Sequence, residues 1–187
     1  MCHMPGLLDD NLAGLQATLD RTHDYAGLLL LEGEARTLER ALAHSPRLAA
    51  LIGAILRRRL EWEAASIYLM ERSTDFLDNL ELRYDAALTA IDAGTYDRGQ
   101  LVIQGLGPHL DALDDRQLCG LWRAAPLVGL HDIALAAFQK ARDRGVGFCT
   151  TDIEGRLATA RDNVVSPILD EVGVVSLGEN CLGSVIK

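Results

Sequence analysis

The sequence is short of the residues that most often announce a chemistry. It has four cysteines among 187 residues, Cys2, Cys119, Cys149 and Cys181. No two form a Cys-x-x-Cys pair, so a zinc knuckle is excluded, and scattered free thiols fit a reducing compartment. There is no Gly-x-Ser-x-Gly elbow and no Gly-Lys-Ser/Thr phosphate loop. The five histidines, His3, His23, His44, His109 and His131, never pair at the i, i+4 spacing of metal ligands on a helix. Aromatic residues make up only 5%. The longest run of leucines, Leu28–Leu31, is far too short to cross a bilayer. The first cationic residue is Arg21, so no charged n-region of a signal peptide is read and the cytoplasm is the expected location.

Basic charge is scarce as well: 18 Lys and Arg against 27 Asp and Glu give a formal net charge of −9. Such a surface repels nucleic-acid phosphates and anionic lipid headgroups alike, so neither nucleic acid nor membrane is an expected partner. No metal or other cofactor is implied. Apolar residues reach 49%, enough for a chain of this length to fold around its own core.

What the sequence does have is helical periodicity almost throughout. Leu8, Leu12, Leu15 and Leu19 form one stripe. A second helix is expected from about Asp24 to Leu42, weakened at Gly33 by roughly 1 kcal/mol relative to alanine. Ser45-Pro46 is a start signal, a capping hydroxyl followed by a proline at the first helical position. Further helices are predicted at about 61–72, 77–92, 96–107, 115–128, 130–144 and 151–165. Gly94, Gly129 and Gly145 stand where helix ends need a left-handed residue. Pro126 should kink or shorten the helix it lies in. Short connections make successive helices antiparallel neighbours. After Pro167, the run Val172–Leu177 reads as a short buried strand.

The helices also repeat. In Gly129-Leu-His-Asp-Ile-Ala-Leu-Ala-Ala-Phe-Gln-Lys-Ala141, a helix-ending glycine precedes an aspartate, a small residue, an aromatic and an alanine. Leu118, Leu121 and Ala125 supply an apolar face upstream. A step back of 35 residues gives Gly94, Tyr96, Asp97, Gly99 and Ile103, behind Ala86, Ala87 and Ala90. A further 34 gives Trp62, Ala65 and Leu69, behind Ile52, Gly53 and Leu56. This pattern resembles the tetratricopeptide repeat, in which small residues let two helices of a hairpin approach closely and stacked hairpins bury a continuous core. Trp122, where a small residue is usual, and Arg72, where alanine is usual, depart from it. The resemblance implies an all-α solenoid of antiparallel hairpins. A divergent N-terminal hairpin would occupy 1–45 and the repeats 46–166. A strand and tail at 167–187 would be the start of an α/β domain that this sequence does not contain.

The resemblance further implies a non-enzymatic scaffold that binds a protein or peptide along a concave wall made by the first helix of each hairpin. Arg57 and Arg58 would line it from the first repeat, Tyr84, Asp85 and Asp92 from the second, and Arg116 and Arg123 from the third. The family's two-carboxylate clamp for chaperone tails is excluded, because Ala50, Ala54, Asp85 and Gly120 occupy four of its five inner places and only Arg116 suits the role.

Ser176-Leu-Gly-Glu-Asn-Cys181 supports an alternative. A cysteine after a strand, at the start of a helix, has the placement of a thiolate nucleophile. Residues 174–182 resemble a stretch of an uncharacterised bacterial family described as papain-like cysteine peptidases, although Gly183 stands where that family has proline. On this reading the chain is the helical module of a larger enzyme with Cys181 reactive. A third reading is a homo-oligomer in which 172–177 pairs between chains.

Overall fold

A computed structural model describes residues 5–42 and 45–146 of the chain. Among them every regular element is helical. There are eight α-helices: α1 (Pro5–Arg21), α2 (Tyr25–Leu42), α3 (Pro46–Arg58), α4 (Trp62–Asp75), α5 (Leu80–Asp92), α6 (Tyr96–Leu106), α7 (Asp115–Ala124) and α8 (His131–Asp143). Two 3-10 turns, Gly107–Ala112 and Ala125–Val128, flank α7. The expected helix at 151–165, the strand at 172–177 and Cys181 lie outside the described residues. The chain divides into two compact units at Gly94. Both α1 and α2 pack on α3 within the first unit.

Local chemistry sets where three helices of the first unit start. The Asp24 carboxylate accepts a hydrogen bond from the Gly27 amide at 2.8 Å and caps α2, which runs unbroken through Gly33. Ser45 accepts from the Leu48 amide, with Pro46 in the first turn of α3. Asn79 accepts from the Leu82 amide at 2.8 Å, so α5 begins at Leu80 rather than 77. Leu48, Ile52 and Ile55 of α3, Ala65 and Leu69 of α4 and Leu82 of α5 are at most 1% exposed. Each fully buried side chain of Leu size adds roughly 1.5–3 kcal/mol of apolar transfer, which makes this stripe the main source of stability. Helix α4 makes its broadest contacts with α3 and α5. Gly53 permits the α3–α4 approach: a Cβ there would lie 2.6 Å from a Leu69 methyl carbon.

The end of α3 was not foreseen. Leu60 has φ of 64°, the left-handed region that an L side chain rarely occupies. Its amide bonds to the Arg57 carbonyl at 2.9 Å and the next amide, of Glu61, reaches back to Leu56 at 3.0 Å. This is the Schellman ending ordinarily served by glycine.

In the second unit, Asp114 and Gln117 form a reciprocal capping box that starts α7. Pro126 then ends the α-helical ladder at Ala124, and a 3-10 turn carries the chain to Gly129 at φ 76°. The helix is thus shorter than the expected 115–128. Helices α7 and α8 pack closely, and Leu118 and Leu121 of α7 and Ala134, Ala137 and Ala141 of α8 are all 0% exposed. Trp122 meets Phe138 edge to face, with ring centroids 5.8 Å apart. The large residue at a nominally small position therefore has an aromatic partner rather than a clash.

Candidate functional site

The expected wall residues part company once their side chains are placed. Arg57, Asp85 and Asp92 come together on α3 and α5. The Arg57 guanidinium donates to Thr89 Oγ1 at 3.1 Å and lies 3.7 Å from an Asp85 carboxylate oxygen. Asp92 feels the Arg57 charge too. The protein around Asp92 desolvates its carboxyl and raises its pKa above the ordinary aspartate value, and Arg57 only partly offsets this.

Tyr84 departs from the expectation, and Arg58 is engaged within the protein. Tyr84 is 4% exposed, so its ring belongs to the packing and offers no surface to a partner. Arg58, though exposed, donates to the Leu19 carbonyl near the end of α1, tying α1 to α3. Arg116 and Arg123 are exposed residues of α7 in the second unit. The Arg123 guanidinium stacks 5.1 Å from the Trp122 ring.

Beside the Asp92 end of α5 lies an open notch of about 520 Å³, lined by Leu60, Glu61, Trp62, Glu63, Ala64, Asp92 and Ala93. Its wall is part apolar, from Leu60, Trp62 and the two alanines, and part anionic. Three helix ends create it: the left-handed stop of α3, the first turn of α4 and the last turn of α5. Leu60 is 74% exposed at its rim. The sequence offered no sign of this notch. Its residues are 28 or more positions apart across the two sides, and nothing marks Leu60 as left-handed.

Glu61 has a second duty. It accepts from Tyr25 Oη at 3.1 Å and pairs with Arg59, which also pairs with Glu32 of α2 and stacks 4.8 Å from the Tyr25 ring. Burial alone would lower the Arg59 pKa, but Tyr25, Glu32 and Glu61 outweigh it and the net shift is upward. A second cluster ties α2 to α4. Arg36 and Arg72 sit 4.9 Å and 5.4 Å from the Tyr68 ring, and Tyr68 Oη donates to Glu39 at 2.6 Å. Burial, then the neighbouring Glu39, holds the Tyr68 hydroxyl protonated far above its ordinary range. Arg72, an exception to the alanine usual at its place, pairs with Glu39 and Asp75. Both clusters are internal fasteners. Glu63 and Asp92 take no part in them.

Among the described residues no group of three or more His, Cys, Asp or Glu side chains could hold a metal, and no helix is long and apolar enough to cross a membrane. Compared with models of known families, with curated proteins and with solved structures, the chain gives no match.

Proposed function

We propose that the chain is a tetratricopeptide-like helical-repeat scaffold that grips an extended segment of a partner protein on the face formed by α3 and α5. The observation that carries this reading is a register. Left-handed helix ends fall at Leu60, Gly94 and Gly129, steps of 34 and 35 residues. Five residues after each stands a buried small residue, Ala65, Gly99 or Ala134. Nine residues after each stands a buried large one, Leu69, Ile103 or Phe138. The same stop, the same small buried residue and the same large one, recurring over three successive helix–turn–helix segments, are what a stack of equivalent hairpins requires. The packing of α4 between α3 and α5 in the first unit, and of α8 on α7 in the second, supports the same reading.

A scaffold of this kind holds its ligand with side chains fixed before binding, which limits the entropy lost on association. Arg57, braced by Thr89 and Asp85, is such a group. The test is a display selection of random peptides on the intact chain, repeated on an Asp85→Lys/Asp92→Lys variant whose fold is checked by circular dichroism. Enrichment of peptides that bind the parent and not the folded variant is the expected result. Selection of identical peptides by both would remove the α3–α5 face from consideration.

A further inference from the structure

We infer that the notch at the α3–α4 turn is a docking point for a basic–apolar peptide motif, a lysine or arginine next to a leucine-sized side chain. This rests on the scaffold reading and adds the chemistry of the partner. Three independent features meet there.

The first is a leucine held where the fold asks for glycine. Leu60 occupies the left-handed stop that Gly94 and Gly129 occupy one and two repeats later, and its side chain is exposed rather than packed. Neither backbone conformation nor core burial accounts for a leucine at this position. A contact with another molecule does, because it would cover the exposed methyls. The second is the cavity beside it, whose apolar wall of Trp62, Ala64 and Ala93 is continuous with Leu60. The third is charge. Glu63 and Asp92 line the same notch, while the internal network absorbs Glu61. A notch lined by an aromatic ring and two carboxylates suits an ammonium or guanidinium, whose stem would lie on the apolar wall while its head meets the acids. The chain's overall charge of −9 favours the approach of a basic segment. An acidic or purely apolar segment lacks this complementarity.

The experiment is fluorescence anisotropy with the intact chain and two labelled peptides in a Gly–Ser background, one with a central Lys-Leu-Lys and one with Glu-Leu-Glu. Three variants accompany it: Leu60→Gly, Glu63→Gln/Asp92→Asn, and Asp132→Asn/Asp143→Asn, which removes the same charge on α8. The basic peptide should bind and the acidic one should not. Glu63→Gln/Asp92→Asn should weaken the basic peptide by on the order of fivefold, the α8 variant by much less. Leu60→Gly should weaken it while raising the melting temperature, so the loss cannot come from unfolding. Equal weakening by both charge variants would overturn the inference, reducing the attraction to net charge. Unaltered binding in Leu60→Gly would overturn it as well. If the basic peptide fails while display-selected peptides of other chemistry bind the α3–α5 face, the motif is wrong and the scaffold stands. If no peptide binds at all, both readings fall.

Discussion

Leu60 separates conformation from contact at a single residue. A left-handed leucine costs about 1–2 kcal/mol relative to an unstrained backbone, and glycine there removes most of it. Leu60→Gly should therefore raise stability by about 1 kcal/mol in urea denaturation, while Gly129→Ala, at φ 76°, should lower it by about as much. Gly53 is a different case. A Cβ there would meet Leu69 side-chain atoms at 2.6–2.8 Å inside the core, so Gly53→Ala should destabilise by about 1–3 kcal/mol through overpacking rather than backbone strain. Asp92 offers a pH test. Its folded-state pKa lies above the ordinary value, so the folded chain binds this proton more tightly than the unfolded chain. Its contribution is fully present below the unfolded pKa and is lost as pH rises through the raised one. At neutral pH, Asp92→Asn should leave stability equal or higher.

Several helix boundaries were legible in the sequence where one side chain decides them, although the Asn79 cap that starts α5 was not. Ser45-Pro46 and the glycines at 94, 129 and 145 act within a turn of their own position, so their effect can be read without knowing the fold. The end of α7 at Pro126 follows from one missing amide in the same way. The fasteners could not be read. Arg59 meets Glu32 and Tyr25 across 27 and 34 positions, and Tyr68 meets Glu39 across 29. Charged residues that look like a solvated face are then drawn inward by a partner on another helix. Tyr84 was misplaced for the same reason: it was assigned by its position along the helix, yet its ring is buried by what packs on α5. His131, at the start of α8, gives the second unit its own titration. Burial lowers its pKa against the smaller pull of Asp132, and its Nδ1 is buried without a hydrogen-bond partner. Lowered folded-state pKa means the unfolded chain takes up the proton first, so stability should fall as pH drops through the imidazole range. His131→Phe should flatten that slope in thermal melts from pH 8 to pH 5, values that bracket the ordinary imidazole pKa of about 6.5.

At the scale of the molecule, the chain combines an all-helical architecture among the described residues with a formal net charge of −9, and its first unit carries a face where strain, exposure and negative charge converge. Stability comes from the buried stripe of small and branched residues, while exposed ion pairs such as Arg142–Asp143 add on the order of 0–1 kcal/mol. Substitutions at the notch should therefore alter recognition and leave folding intact. The most direct measurement is hydrogen–deuterium exchange of the intact chain with and without a peptide recovered by display. The account expects slowed exchange in 57–64 and 85–93, where the end of α3, the start of α4 and the last turns of α5 meet. Protection confined to other segments, or none with a saturating peptide, would contradict it.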